Sequence, residues 1–192
     1  MNLFSRDLAL TLQRLARQFP VVAITGPRQS GKTTLARREF GGKPYVSLED
    51  PIERAYAQTD PRGFLQRFTR GAIFDEAQRW PDLFSHLQGL VDEERVPGRF
   101  VLTGSQQFGL MAGVTQSLAG RVGLSRLLPL ALSEITLGNS DDLYTHLWRG
   151  AYPALWQTQR TAAEATDWFS SYVTTYIAVS YTHLTLPTNR EV

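Results

Sequence analysis

Short apolar runs alternate with stretches of helical periodicity over the first two thirds of the chain. The runs are rich in β-branched and aromatic residues and predict five strands, at residues 21–25, 45–48, 71–74, 99–102 and 123–128. Between these runs, apolar side chains recur at three- and four-residue spacing, which predicts helices. Strands that alternate with helices are typical of an α/β fold with a parallel sheet, right-handed crossovers and helices on both faces.

Several predicted helices have recognisable ends. The first follows Ser5, a residue type that favours the N-cap position, and Pro20 ends it. Further helices are predicted in the α/β part at residues 52–58, at residues 64–68 and after Pro81. From Leu130 onward only helical patterns occur, including residues 161–178, so a partial helical region is expected to follow the sheet.

The composition narrows the classes of function. The chain has 192 residues, no cysteine and a formal net charge of +2. The lack of cysteine excludes disulfides, thiolate catalysis and cysteine metal sites, and the three histidines are too far apart for ligand spacing. The first residues do not resemble a signal peptide, and no apolar run approaches the ~20 residues of a membrane helix. We therefore expect a cytoplasmic protein with no membrane partner.

The most specific motif is a glycine-rich turn between the first strand and a helix. Residues 26–33 read GPRQSGKT and match the phosphate-loop pattern G-x-x-x-x-G-K-[ST]. In such a loop backbone N–H groups face phosphate oxygens, Lys32 reaches the β- and γ-phosphates, and the Thr33 hydroxyl binds Mg²⁺. The alternative is a structural glycine turn that happens to contain Lys-Thr. We predict that the nucleotide is held by Gly26, Pro27, Arg28, Gln29, Ser30, Gly31, Lys32, Thr33 and Thr34.

Two adjacent carboxylates, Asp75 and Glu76, follow the third strand. Ligands of open parallel sheets bind at the carboxyl ends of the strands, so both carboxylates are expected beside the phosphate loop. Asp75 would bind Mg²⁺, directly or through water, and Glu76 would orient and deprotonate an attacking water. A solvated acidic turn is the alternative interpretation.

Two further positions are candidates for contact with the γ-phosphate. The fourth strand is followed by Thr103 and Ser105, and either hydroxyl could report which nucleotide is bound, although small polar residues also favour strand-end turns. Arg121 is a candidate for an arginine that stabilises transition-state charge, from its own chain or from a neighbouring one. A structural arginine paired with a carboxylate is an equally good interpretation.

Five segments in a fixed order carry a resemblance to a known group of proteins. They are residues 26–34, 48–51, 73–78, 98–105 and 117–121. The set closely resembles the prokaryotic AAA-type ATPases that carry a C-terminal domain of unknown function. The resemblance implies a P-loop NTPase fold with sheet order 5-1-4-3-2, ATP as the ligand, and Asp75 with Glu76 as the metal-binding and water-activating pair. It also implies that Thr103 or Ser105 is the sensing position.

The sequence is expected to divide into three parts. Residues 1–130 form the ATPase domain, and residues 131–178 are the start of a truncated helical C-terminal region. Helical periodicity ends abruptly at residue 179, and residues 179–192 are similar to a peptide produced by translating through a sequencing adapter. We expect this tail to be non-native and the natural C-terminal domain to be missing, the alternative being a short native terminus. Resequencing the gene across codon 178 distinguishes the two.

ATP hydrolysis that moves the C-terminal region is the function these features favour. A switch protein that hydrolyses ATP slowly would use the same residues, and a small-molecule phosphotransferase, which needs an acceptor pocket, is a third candidate. The expected partners are ATP, further copies of the chain if Arg121 acts between subunits, and a protein or DNA bound through the missing region. The residues at hand contain no basic stripe with interleaved aromatics that would itself predict nucleic-acid binding.

Overall fold

The described part of the chain forms two compact units. The computed structural model describes residues 4–105, 117–135, 143–157 and 160–177. The first unit ends at Ile135, and the second begins at the next residue. Among the described residues, strands occur only in the first unit.

The first unit alternates strands and helices along the chain. Short 3₁₀ turns follow the third strand at Ala77–Arg79 and the fifth strand at Leu132–Glu134. The elements in chain order are α1 (Leu8–Gln18), β1 (Val21–Gly26), α2 (Lys32–Glu39), β2 (Tyr45–Ser47), α3 (Pro51–Thr59), α4 (Pro61–Gln66), β3 (Ile73–Asp75), α5 (Leu83–Glu93), β4 (Phe100–Ser105) and β5 (Val122–Arg126).

The five strands form one parallel sheet in the order β2-β3-β4-β1-β5. Read from the other edge this is 5-1-4-3-2, so the predicted fold class and strand order are confirmed. The register pairs Gly26 of β1 with Ser105 of β4, while β3 ends at Asp75 on the other side of β4. The last residues of β1, β3 and β4, which are Gly26, Asp75 and Ser105, therefore lie at the same end of the sheet.

Both faces of the sheet are covered by helices. Side chains of β1 alternate between two cores, with Val21 and Ala23 on one face and Val22 and Ile24 on the other. The second of these faces packs against α1 and α2, and the first against α3, α4 and α5. Burying one large apolar side chain stabilises the fold by roughly 1.5–3 kcal/mol, and the first core contains a group of such aromatic residues. They are Phe64, Phe68, Phe74, Trp80 and Phe100.

The predicted N-cap at Ser5 is wrong. Helix α1 begins at Leu8, after Asp7, which itself has helical backbone angles. The Asp7 N–H donates to Glu134 Oε1 at 2.7 Å, so its acceptor comes from a distant part of the sequence. A local cap pattern cannot show a tertiary contact of this kind.

The second unit is helical in its described residues, as the partial helical region was predicted to be. It contains α6 (Leu143–Arg149), α7 (Pro153–Trp156), α8 (Ala162–Tyr172) and a π-helical turn, Val173–Ile177. Helix α8 starts with a capping box, in which the Thr161 N–H donates to Glu164 Oε2 at 2.7 Å. No helix in the described residues is long and apolar enough to cross a bilayer. The predicted non-native tail, residues 179–192, lies outside the described residues.

Candidate active site

The phosphate loop joins the end of β1 to the start of α2. Gly26 has φ +146° and Gly31 has φ +93°, angles that side-chain-bearing residues rarely adopt. A Cβ at Gly26 would lie 2.1 Å from the Leu127 carbonyl oxygen, so the loop and the segment after β5 can approach only at a glycine. Gln29 has φ +60° without being a glycine, and such strained backbone is common at ligand sites.

Helix α2 directs its N-terminus at the loop. The Leu35 N–H donates to the Gly31 carbonyl at 2.9 Å. The N–H groups of Lys32, Thr33 and Thr34 come before it and have no acceptor within the helix. These N–H groups and the positive end of the helix dipole favour an anion at this position.

The remaining loop residues differ in exposure. Arg28, Gln29 and Thr34 are exposed, whereas Ser30 is buried. The Ser30 hydroxyl donates to the Pro27 carbonyl at 2.9 Å and so braces the loop internally.

Lys32 lies along the loop, with only 5% of the residue exposed. Its Nζ donates to the Gly26 carbonyl at 3.1 Å and to the Pro27 carbonyl at 2.8 Å. Burial lowers the pKa of Lys32, and the negative charges of Glu76 and Asp75 oppose that lowering. The ammonium group is thus within electrostatic reach of both carboxylates that follow β3.

The Asp75 carboxylate collects hydroxyl donors from three elements. Thr33 Oγ1 of α2 lies 2.9 Å from Oδ1 and 3.0 Å from Oδ2, and the Tyr45 hydroxyl of β2 donates to Oδ2 at 2.9 Å. Thr103 Oγ1 of β4 donates to Oδ1. Asp75 itself is 6% exposed, so these bonds replace most of its hydration.

Thr33 and Asp75 suit Mg²⁺ by chemistry and by spacing. Magnesium prefers oxygen ligands in an octahedron at about 2.1 Å, which puts neighbouring ligand oxygens about 3 Å apart. The hydroxyl and carboxylate oxygens are 2.9 and 3.0 Å apart. Magnesium usually takes its other ligands from substrate phosphates and water. Within the described ranges, no group of three or more His, Cys, Asp or Glu side chains could hold a metal.

Glu76 follows Asp75 in a left-handed conformation, with φ +54°. Gln78 Nε2 donates to Glu76 Oε2 and lies 3.3 Å from Ser105 Oγ. The Gln78 amide therefore links the carboxylate to the end of β4. Gln78 Oε1 is buried and has no hydrogen-bond partner in the part of the chain that the structure describes.

Tyr45 and Gln78 were not among the predicted site residues. Burial and the hydrogen bond to the Asp75 carboxylate raise the pKa of Tyr45 to about 12, so its hydroxyl stays protonated as a donor. Arg37 lies over the Tyr45 ring, 4.8 Å from its centre. The position of Tyr45 at the start of an edge strand carries no signal for this contact, whereas a glutamine two residues after Glu76 was a visible polar candidate.

Arg121 lies at the amino ends of the strands, at the opposite end of the sheet from the phosphate loop. Its carbonyl accepts from the Val21 N–H at 3.2 Å, at the amino end of β1, and a strand of six residues is about 17 Å long. Its guanidinium donates to Asp92 Oδ1 at 2.6 Å and Oδ2 at 2.8 Å, and these bonds lower the pKa of Asp92. The prediction that Arg121 reaches the γ-phosphate from its own chain is therefore not supported by this geometry. A role supplied to a neighbouring chain stays a prediction.

Comparison with a solved structure agrees with the observed fold. The AMPPCP-bound DnaA of Aquifex aeolicus is similar over 92% of this chain and 62% of its own, with a TM-score of 0.50 and 14% sequence identity. A Walker-type ATPase of Pyrococcus abyssi is similar over 69% of this chain and 55% of its own, with a TM-score of 0.49 and 17% identity. At these identities the similarity to DnaA shows the fold alone.

Sequence comparison identifies the family. The uncharacterized protein Rv2008c of Mycobacterium tuberculosis and Mb2031c of Mycobacterium bovis are each 37% identical over 174 residues, which is 90% of this chain. The chain spans 38% of the length of these two relatives. The family described as "AAA domain" matches residues 18–136, more than half of the chain. This chain therefore belongs to the AAA domain family.

Proposed function

We propose that this chain binds Mg-ATP and hydrolyses it to ADP and phosphate at the carboxyl edge of the sheet. The observation that carries the proposal is the junction of the phosphate loop with the acidic strand end. The Thr33 hydroxyl lies 2.9 Å from the Asp75 carboxylate, and Lys32 is within the field of Glu76. Membership of the AAA domain family supports a nucleotide as the ligand.

The residues of the loop would bind the phosphates. The N–H groups at the start of α2 would face phosphate oxygens, and Lys32 would exchange the Gly26 and Pro27 carbonyls for the β- and γ-phosphates. Thr33 and Asp75 would hold Mg²⁺, which, when bound, neutralises charge on the phosphate oxygens.

Glu76 would serve as the general base. Its carboxylate would accept a proton from the attacking water, a contribution of typically ~10²–10⁴ in rate. Thr103 would orient Asp75 through its hydrogen bond, and Ser105 would be linked to the base through Gln78. One of these two hydroxyls, Thr103 or Ser105, is the proposed sensing position.

A slow nucleotide switch is the second candidate, and Gln78 is the observation that favours it. The Gln78 amide donates to the Glu76 carboxylate, so part of the accepting capacity of the base is already used. Under this alternative the chain holds ATP for long periods and turnover depends little on Glu76.

Steady-state Mg-ATP turnover by the wild type and by Glu76→Gln separates the two functions. An ATPase loses turnover in this variant but keeps ATP binding, and the matched control Glu49→Gln, at an exposed carboxylate, keeps both. Turnover that is unchanged in Glu76→Gln would contradict the proposed base. A specific rate that rises with protein concentration would support a homo-oligomer in which Arg121 acts between subunits.

We also propose that the nucleotide state changes the region after Ile135. The Leu127 N–H donates to the Thr25 carbonyl at 2.8 Å, and the Leu127 carbonyl lies against Gly26, so the segment that leaves β5 touches the loop directly. Limited proteolysis with and without a non-hydrolysable ATP analogue tests this, and identical cleavage patterns after residue 135 would contradict it. A protein or DNA partner for the region that the longer relatives possess remains a prediction.

A further inference from the structure

A buried arginine outside the motif contacts the phosphate loop. Arg6 precedes α1 and is only 7% exposed. Its Nη1 donates to the Ser30 carbonyl of the loop at 2.8 Å, and its Nε donates to Glu134 Oε2 at 2.8 Å. Its Nη2 donates to the Leu128 carbonyl at 2.7 Å and lies 3.3 Å from the Pro129 carbonyl. One guanidinium thus joins the loop to the segment that follows β5.

Glu134 keeps this guanidinium in place. Its carboxylate also accepts the Asp7 N–H at 2.7 Å and the Ala131 N–H at 3.0 Å. The charge of Arg6 is therefore paired with that of Glu134. Arg6 acts on the loop through the direction of its hydrogen bond to Ser30 more than through its net charge. The planar guanidinium supplies several donors in a fixed arrangement, which a lysine ammonium cannot reproduce.

The bond to Ser30 fixes the direction of a neighbouring amide. The Ser30 carbonyl and the Gly31 N–H belong to one planar trans peptide and point in opposite directions. Because the carbonyl points at Arg6, the Gly31 N–H points away from Arg6. Gly31, with φ +93°, has no Cβ, so the constraint that a side chain would place on this peptide is missing on the Gly31 side, and the bond from Arg6 supplies a partner that holds one orientation.

We propose that Arg6 is a positioning residue for phosphate recognition: it holds the Ser30 carbonyl outward and thereby presents the Gly31 N–H to the phosphate groups. The proposal rests on the proposed function and deepens it, since it names a residue that shapes the same loop. Without Arg6 the peptide can rotate, and its carbonyl can then face the anion.

Binding of pyrophosphate and of ATP without Mg²⁺ tests the proposal, because both isolate the loop from the metal. We expect Arg6→Gln and Arg6→Lys to weaken both affinities at least about tenfold. The matched control is Arg38→Lys, because Arg38 donates to the Phe4 carbonyl of the same N-terminal segment at 2.7 Å without touching the loop. This control is expected to bind within about twofold of the wild type.

A spectroscopic readout separates positioning from folding. In protein labelled with ¹⁵N-glycine, pyrophosphate is expected to move the Gly31 amide proton downfield in the wild type and in Arg38→Lys, but not in the Arg6 variants. Urea unfolding of each protein shows that the folded fraction is being compared. If Arg6→Gln does not fold, Arg6→Lys and Glu134→Gln carry the test, since both retain a hydrogen-bonding side chain at the altered position.

The outcomes distinguish the two proposals. If the wild type binds neither pyrophosphate nor ATP, and adding Mg²⁺ does not restore ATP binding, the proposed function fails and Arg6 has no phosphate role. If the wild type binds both and the Arg6 variants bind equally well, with the same movement of the Gly31 amide, only the role of Arg6 is overturned.

Discussion

Replacing Thr33 by valine separates two roles of its hydroxyl. Without nucleotide, the hydroxyl donates to Asp75 at 2.9 and 3.0 Å. With Mg-ATP, the same oxygen is proposed to bind the metal. Valine keeps the branched shape but has a methyl group in place of the hydroxyl, and Thr33→Ser is the matched control that keeps the hydroxyl.

The expected loss of stability without nucleotide is small. A hydrogen bond contributes about 0.5–1.5 kcal/mol, and up to about 3 kcal/mol when one partner is charged. Asp75 still accepts from Tyr45 and Thr103 in the variant, so its carboxylate stays solvated by the protein. We therefore expect Thr33→Val to lower the free energy of unfolding in urea by about 1.5 kcal/mol.

The expected loss of Mg-ATP affinity is larger and depends on the metal. The measurement is the dissociation constant of ATP by calorimetry in a Glu76→Gln background, with Mg²⁺ and with EDTA. In EDTA the dissociation constants of the Glu76→Gln parent and of its Thr33→Val and Thr33→Ser derivatives are expected to agree within about twofold. In Mg²⁺, the loss of a ligand worth about 1.4 kcal/mol weakens ATP binding by Thr33→Val tenfold. A Thr33→Val protein that retains the full Mg²⁺-dependent gain would refute Thr33 as a metal ligand.

Three further changes test other parts of the structure. Gly26→Ala forces a Cβ to within 2.1 Å of the Leu127 carbonyl oxygen at a positive φ, so it should lower the unfolding free energy by about 2–4 kcal/mol. The control Gly42→Ala, which places a Cβ in open space, should change the unfolding free energy by less than about 0.5 kcal/mol. Equal effects of the two variants would contradict the clash at Gly26. The pKa of Tyr45 in the folded chain is about 12, above the ordinary tyrosine value of 10. The contribution of the Tyr45 hydroxyl to the unfolding free energy is therefore complete below pH 10 and declines as the pH rises toward 12. The unfolding free energy of wild type relative to Tyr45→Phe should accordingly fall as the pH rises from 10 toward 12, and a constant difference would argue against the raised pKa. Arg121→Ala should leave turnover within about twofold of the wild type at protein concentrations where the specific rate is constant, because Arg121 lies a strand length (about 17 Å) from the loop. A tenfold loss of turnover under these conditions would indicate that Arg121 acts at the site of its own chain.

The sheet and its polar edge could be predicted because the relevant signals are local. Each strand is a short apolar run, and each is followed by the polar residues that a parallel sheet gathers at one edge. The predicted strand order rested on the resemblance of the motifs to a known group, because the alternation of strands and helices does not determine which strands are neighbours in the sheet. The observed register brings Gly26, Asp75 and Ser105 to that edge, where ligands of parallel sheets bind.

The contacts that sequence patterns missed are tertiary. Tyr45 reaches Asp75 from the neighbouring strand, and Arg6 reaches Ser30 and Glu134, with no spacing rule connecting any of these positions. Arg121 is different, because the predicted strand at residues 123–128 already implied that Arg121 lies at its amino end. In a parallel sheet that end is opposite the phosphate loop, so the polarity of the strand held the signal.

Single-turnover hydrolysis in ¹⁸O-labelled water shows whether Glu76 activates the water that attacks ATP. Excess protein is mixed with Mg-ATP, and the released phosphate is followed in time and by mass. The wild type is expected to release inorganic phosphate carrying one ¹⁸O, and Glu76→Gln is expected to do so at least about 10²-fold more slowly while binding ATP with similar affinity. Equal rates in the two proteins, or phosphate without the label, would contradict hydrolysis by a water that Glu76 activates.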